Sequence, residues 1–320
     1  MASALSVLIL MSHPEEIRKQ YYDGIRTRFP KLTVNLVDHH SKVGPHIASV
    51  NVLLTYGTSM ADHVLSDATH LRWIHALTTG TDGIDNLPSL RPEVLLTSTR
   101  GIHGTPVSEA ALMAMLALNR DFPRAVRNQD RQVWERWPAR LLEGKTVGIF
   151  GVGLIGAALA PKCKALGMRV IGVNPTQRDV AGVDRMLAWN QVPQVIGDMD
   201  FLVLFVPSSP GTRGMINLKF LEAMKPTAYL INLGRGDVLD DDALIGILKE
   251  GRIAGAALDV FREEPLPQNH PFWSLKNIIV TPHLGGAFDE YPKRALPIIE
   301  ENMRRFLAGD IDNMINVVKH

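Results

Sequence analysis

Cysteine is almost missing from this sequence. The 320 residues hold one, Cys163, so no intrachain disulfide can form and no cysteine cluster can hold zinc. That usage fits a reducing compartment, and cytoplasm is the expected location. Excess charge is missing too: 34 Lys and Arg stand against 33 Asp and Glu, a formal net charge of +1. No bulk attraction to nucleic acid or an anionic membrane follows, and any anion must be captured locally. No apolar run approaches the roughly 20 residues that a bilayer span requires. The opening "MASALSVLILM" is apolar, but no basic residue precedes it and a charged, helix-like stretch comes next, so Ser6 to Met11 reads as a first strand. His39 and His40 are adjacent but lack carboxylates or further ligands at metal spacing, so no metal site is expected. Repeats and low-complexity tracts are absent.

What is present is alternation. "VLILM", "TVNLVD", "NVLLTYG", "LRWIHALTTG" and "VLLTST" are short apolar runs separated by amphipathic segments, the pattern of a parallel sheet with covering helices. "GTPVSEAALMAMLAL" is apolar on nearly every face and predicts a buried helix that bridges domains or subunits. The segment "RNQDRQVWERWPARLLEG" reads as a charged helix whose Trp134 and Trp137 serve packing or dimer contacts. A second series then begins: "TVGIF", "RVIGV", "DFLVLFV", "AYLINL", "IAGAALDV" and "NIIVT". Six such strands predict a doubly wound sheet. After "TPHLGG" the pattern returns to helix and a short tail, which should pack back on the first domain. The expected architecture is α/β, two doubly wound parallel-sheet domains: a Rossmann cofactor domain, 102–285, inserted into a flavodoxin-like substrate domain, 1–101 plus 286–320. The cleft between them should close on ligand, hinging near Gly101 and Gly285.

"GIFGVGLIGAALA" places Gly151, Gly153 and Gly156 in G-x-G-x-x-G spacing between a strand and a helix. The first glycine permits the tight turn, the second lets a pyrophosphate approach, and the third lets helix and strand pack closely. Leu154 and Ile155 then begin a helix whose free N–H groups and partial positive charge suit phosphate. A dinucleotide is therefore the expected cofactor. At the end of the second strand, where an acid commonly takes the ribose 2′-hydroxyl of NAD, stands Asn174. Its neutrality removes the repulsion a 2′-phosphate would meet, while Thr176 and Arg178 offer a hydroxyl and a cation. NADP is expected in preference to NAD.

Ligands of open parallel sheets sit beyond the carboxyl ends of the strands. Arg235 follows "YLINL", Glu264 follows "GAALDV", and His283 follows "IIVT". That trio suits reduction of a 2-keto acid. Arg235 offers a planar fork to a carboxylate and a carbonyl oxygen. His283 can give a proton to that oxygen and take it back. Glu264, bonded to His283, would orient the ring and raise its pKa. Glu263 reads as a solvated neighbour. His103, near the expected crossing between domains, reads as a helix-entry residue.

These motifs make the chain resemble the D-isomer-specific 2-hydroxyacid dehydrogenases, on their glyoxylate/hydroxypyruvate reductase-like side, over nearly its whole length. "NLGRG", "DVFREEPL" and "PHLGG" carry the resemblance. It implies Arg235, Glu264 and His283 as the catalytic set, with Glu264 chosen over Glu263 because it precedes Pro265. It also implies Asp259 at the nicotinamide carboxamide, Pro207 along the cofactor, and Thr79 and Gly80 at the substrate carboxylate. A homodimer is implied as well. Two other readings use the same architecture: a corepressor-like protein that senses a dinucleotide without turnover, and a dehydrogenase of formate or phosphite. The second has no need of a proton-transfer pair such as Glu264 and His283.

Overall fold

The computed structural model describes residues 5–319. They separate into two compact units, one taking the chain up to Ile102 and again from Phe288, the other His103–Ala287. Both are α/β, with thirteen strands between them.

In the first unit, β1 (Ser6–Leu10), β2 (Thr33–Val37), β3 (Val52–Thr55), β4 (Trp73–Ala76) and β5 (Leu95–Ser98) pair in parallel in the order 5-4-3-1-2. This is the flavodoxin-like order. β1, β3 and β4 are buried throughout, which is why they read as unbroken apolar runs rather than alternating ones. Helix Glu15–Arg28 buries Tyr21 and Ile25, and helix Tyr291–Ala308 buries Ala295, Ile299, Met303 and Phe306. These side chains share one core with Val7, Ile9, Val52, Leu54 and Trp73. The last helix ends at Gly309 in the left-handed conformation, φ 75°, the usual glycine stop. Buried Asn302 then takes the chain back: its Nδ2 donates to Ile315 O at 2.9 Å and its Oδ1 accepts from Ile315 N at 2.7 Å. A short strand further on, Val317–Val318, adds antiparallel to β5.

The second unit holds β6 (Thr146–Phe150), β7 (Arg169–Val173), β8 (Arg185–Leu187), β9 (Phe201–Leu204), β10 (Tyr229–Asn232), β11 (Gly255–Leu258) and β12 (Ile278–Val280). With Val317–Val318 counted as β13, they complete the set. All seven are parallel, in the order 12-11-10-9-6-7-8. The order reverses between β6 and β9, the switch point where a doubly wound sheet opens its crevice. The six expected strands are all present, and β8 is an addition. Helix Gly104–Asn119 buries Ala111, Ala114, Met115 and Leu118 against this sheet, leaving Met113 and Leu116 exposed.

One local expectation fails. The charged helix read across "RNQDRQVWERWPARLLEG" stops at Asp130. Gln132 takes φ 56°, which no helix accommodates, and the chain from there to Leu141 has no regular secondary structure and carries Pro138. Trp134 is 93% exposed on that stretch. Trp137 instead turns back, its Nε1 donating to Arg120 O at 3.2 Å with Arg124 stacked over its ring. Among the described residues no helix is long and apolar enough to cross a membrane.

Candidate active site

The glycine loop joins β6 to helix Leu154–Ala165. Gly151 has φ 91°, and a Cβ there would lie 2.9 Å from the Phe205 carbonyl oxygen. A Cβ on Gly156 would lie 2.8 Å from the backbone oxygen of Gly151, so helix and turn touch only because residue 156 is a glycine. Gly153, at the helix N-cap, faces open space, with nothing within 4 Å of its added Cβ. This arrangement fits a pyrophosphate: two glycines close the turn, and the third leaves the helix N-terminus at Leu154 and Ile155 approachable.

Asn174 explains the absent acid. Its Oδ1 accepts from the N–H of Val152 at 2.8 Å and its Nδ2 donates to the carbonyl of the same residue at 3.1 Å. A carboxylate could do the first and would repel the second. Asn174 is thus a two-handed clip on the middle of the glycine loop. Arg178 also turns back to that loop, its Nη2 donating to Val152 O at 3.1 Å. Thr176 is exposed nearby in the chain. Pro207 is exposed after β9, and its carbonyl accepts from the Thr212 hydroxyl at 2.7 Å.

Arg235, Glu264 and His283 leave the ends of β10, β11 and β12, on the same sheet edge as the glycine loop. Buried Asn232 shapes the first turn, accepting from Gly234 N at 3.1 Å and donating to Arg235 O at 2.9 Å. Gly236 lets that turn press against the next one, for a Cβ there would fall 1.9 Å from the carbonyl carbon of Phe261. Glu264 is anchored through Oε1, which accepts from Phe261 N at 2.9 Å. Its Oε2 lies 2.7 Å from Nδ1 of His283. Nδ1 is thereby occupied, and Nε2 is the ring nitrogen left for substrate. The hydrogen bond to Glu264 raises the His283 pKa against the opposing effect of burial. Burial pushes Glu264 up, but its bonds to His283 and Phe261 outweigh that and hold the carboxyl below its usual value. The charge of Arg235 acts on both groups, which places all three within one electrostatic neighbourhood.

His283 sits at φ 53°, a left-handed conformation costly for a residue with a side chain. What holds it is Asp259, whose role in the turn no sequence signal disclosed. The Asp259 carbonyl accepts from His283 N at 2.9 Å. Its carboxylate accepts from Thr281 Oγ1 at 2.6 Å, Leu284 N at 2.8 Å and Gly285 N at 2.8 Å. Asp259 thus builds the turn that aims the histidine. Glu263 is exposed and makes no comparable contact. His103 precedes helix Gly104–Asn119, accepting from Val107 N through its carbonyl, and its buried ring packs beside Gly286. Thr79 and Gly80 lie in the turn after β4 of the first unit, where the Thr78 hydroxyl donates to Gly80 O at 2.5 Å. The rings of His39 and His40 lie against one another at a tilt, with His63 edge-on to His40.

The model of the D-isomer specific 2-hydroxyacid dehydrogenase NAD binding domain matches residues 112–285. A glyoxylate reductase from Pyrococcus furiosus is 34% identical over 275 residues, 83% of this chain and 82% of that protein. A D-3-phosphoglycerate dehydrogenase from Methanocaldococcus jannaschii is 34% identical over 265 residues, 82% of this chain; the match spans 50% of that longer protein. Among solved structures, a D-isomer specific 2-hydroxyacid dehydrogenase family protein from Aeromonas salmonicida superposes with a TM-score of 0.90 at 28% identity, covering 99% of both chains. An NADPH-dependent glyoxylate/hydroxypyruvate reductase from Sinorhizobium meliloti, in complex with NADP and sulfate, superposes at 0.85 with 26% identity, covering 99% of this chain and 98% of that one. The family model covers just over half of the chain and the glyoxylate reductase is 34% identical over most of both chains: the chain belongs to the D-isomer-specific 2-hydroxyacid dehydrogenase family.

Proposed function

We propose that this protein reduces a small 2-keto acid of the glyoxylate or hydroxypyruvate class to the D-2-hydroxy acid, with NADPH as the preferred reductant. The observation that carries the reading is the 2.7 Å pair of His283 and Glu264 beside Arg235, on the sheet edge that bears the glycine loop. A nicotinamide dinucleotide bound at that loop supplies the hydride. Arg235 binds and orients the keto acid through its fork. His283 holds a proton at Nε2 and delivers it to the carbonyl oxygen; Glu264 keeps the ring in that tautomer and protonated. Asp259 fixes the turn that aims the ring and meets the nicotinamide carboxamide, and Pro207 lies along the cofactor. Thr79 and Gly80 are assigned the substrate carboxylate on the strength of the family resemblance. The names of the similar proteins support an enzyme over a dinucleotide sensor. The test is turnover of NADPH with glyoxylate, hydroxypyruvate and phenylpyruvate. Reduction of either of the first two supports the reading; dinucleotide binding with no turnover of any, or oxidation of formate or phosphite instead, overturns it.

Preference for NADP rests on Arg178. Its guanidinium is turned onto the glycine loop and has no carboxylate partner among the described residues, while neutral Asn174 leaves room for a second phosphate. One charge-assisted hydrogen bond is worth about 1.5–3 kcal/mol, so Arg178→Ala is expected to lower kcat/KM with NADPH roughly ten- to a hundredfold and to leave NADH nearly unaffected. Asn174→Asp should reverse the order of the two cofactors. An unchanged NADPH rate in Arg178→Ala would refute the assignment.

The same reading includes a homodimer. Met113, Leu116, Phe122, Val126, Val133 and Trp134 are exposed apolar side chains on one stretch of the second unit, a candidate face for a second copy of the chain. Light scattering should give twice the 35.3 kDa chain mass, and Leu116→Glu should shift it toward that of one chain. A monomeric wild type would remove this part of the proposal.

A further inference from the structure

The core of the first unit contains a histidine for which the proposed chemistry has no use. His75 lies in the middle of β4, fully buried, as are Trp73, Thr97 and Thr99. Trp73 and His75 stand two residues apart on one face of β4, and the parallel register sets His75 directly opposite Thr97 of β5. Four side chains make a connected line. Trp73 Nε1 donates to Thr97 Oγ1 at 2.9 Å, Thr97 Oγ1 lies 2.8 Å from His75 Nδ1, and His75 Nε2 lies 3.0 Å from Thr99 Oγ1.

The directions of these bonds follow from what each group can do. Thr99 spends its one hydroxyl proton on the carbonyl of Ala76, 3.0 Å away, since a carbonyl only accepts. Its oxygen must therefore accept from His75, so the proton is on Nε2. Thr97 receives the indole N–H, which only donates, and its own proton points to Nδ1, which in this tautomer accepts. Every polar atom along the line is satisfied and the ring is neutral. Burial alone pushes its pKa to about 3, so it stays neutral throughout the working range.

The line ends on the turn after β4. Thr99 N donates to Ala76 O at 3.0 Å and to Thr78 O at 2.9 Å, and Thr78 closes the turn through its hydroxyl on Gly80 O. On the other side the Tyr291 hydroxyl donates to Leu77 O at 2.6 Å. Thr99 is thus the clamp on the base of the turn, and His75 is what sets the clamp. Packing alone would be served by an apolar residue at 75, without the cost of burying an imidazole and the need to satisfy both of its nitrogens.

We propose that His75 is a positioning residue: its Nε2–H fixes the Thr99 hydroxyl on the Ala76 carbonyl and so steadies Thr99, whose backbone N–H holds the carbonyls of Ala76 and Thr78, and the turn through Thr79 and Gly80 keeps the shape that receives the substrate carboxylate. This rests on the assignment of that turn to the substrate carboxylate under the proposed function. The test separates the two. An asparagine at 75 places its polar atoms near Nδ1 and abandons Thr99, whereas a glutamine reaches to the Nε2 position and can still donate there.

His75→Asn is expected to raise KM for glyoxylate about tenfold, the worth of one hydrogen bond, with kcat within about twofold and KM for NADPH unmoved. His75→Gln should restore most of that loss. Thr99→Val, which keeps the shape of the clamp and deletes its hydroxyl, should reproduce the asparagine effect and serves if the His75 variants do not fold. Nitrogen-15 shifts of His75 in the wild-type protein should show Nε2 protonated and Nδ1 bare. Equal KM values in the asparagine and glutamine variants, an unchanged KM in Thr99→Val, or the opposite tautomer overturns the positioning role. Gly80→Pro, which deletes a backbone N–H of the turn, is the control: if it leaves KM for glyoxylate unchanged, the turn itself has been misread, whatever the His75 variants do.

Discussion

Replacing His283 with alanine is expected to lower kcat for keto-acid reduction by about two to four orders of magnitude, the usual worth of a general acid, while dinucleotide affinity changes little. The ring contributes nothing to the glycine loop, so binding and chemistry should part cleanly. Single-turnover rates alongside a fluorescence titration with NADPH would show it. Near-normal turnover in this variant would remove the histidine from the reaction.

The pH dependence comes from the same pair. On the proposed mechanism reduction needs His283 protonated, so its rate should hold below the histidine pKa and fall as pH rises through it; oxidation of the hydroxy acid would need the neutral ring and should fall as pH drops. Because the bond to Glu264 raises that pKa, reduction persists to higher pH than an isolated imidazole would allow. Glu264→Gln removes the charge, so the alkaline limb of the reduction profile should move to lower pH.

Arg235→Lys should be far more damaging than so conservative a change suggests. Charge is kept, but the planar fork is lost, and with it one of the two bonds that hold keto-acid carboxylate and carbonyl together. Each such charge-assisted bond is worth about 1.5–3 kcal/mol, so kcat/KM with glyoxylate is expected to fall roughly ten- to a hundredfold or more. The turn should survive the change: the guanidinium donates to Gly234 O at 2.7 Å, but Asn232 also grips the turn through Gly234 N and the Arg235 carbonyl, and those two bonds remain. Unaltered kcat and KM in Arg235→Lys would move the carboxylate clamp elsewhere.

Much of the fold and site was legible because buried parallel strands announce themselves. β6, β7, β9 and β10 are continuous apolar runs with a glycine, asparagine or proline close behind, and residues just beyond the carboxyl end of such a strand face the crevice. Arg235 and His283 could be named on that logic, whereas the choice of Glu264 over Glu263 needed the family resemblance that places the acid before Pro265. β8 could not: it is three residues long, begins on exposed Arg185, and owes its existence to pairing with β7. The stretch after Asp130 imitates a helix surface, with charged residues around two tryptophans, while the left-handed Gln132 leaves no compositional mark. The clamping roles of Asp259, Asn174 and His75 were illegible for a common reason. Each depends on a neighbour brought in by the fold, and a polar residue at a strand or strand end looks the same whether it faces a ligand or a backbone amide. Asn174 is the instructive case: its neutrality was plain in the sequence, whereas its grip on Val152 required the β6–β7 register.

The most direct measurement uses NADPH deuterated at the transferable position of the nicotinamide, mixed with the protein and glyoxylate or hydroxypyruvate, with the product resolved by mass and by chirality. Hydride transfer to a keto acid positioned by Arg235 and protonated by His283 gives a hydroxy acid with one deuterium on the former carbonyl carbon, of D configuration where the product is chiral, and far less of it in a His283→Ala reaction of the same length. Product without deuterium, or deuterium that stays in the dinucleotide while the keto acid is untouched, would contradict it.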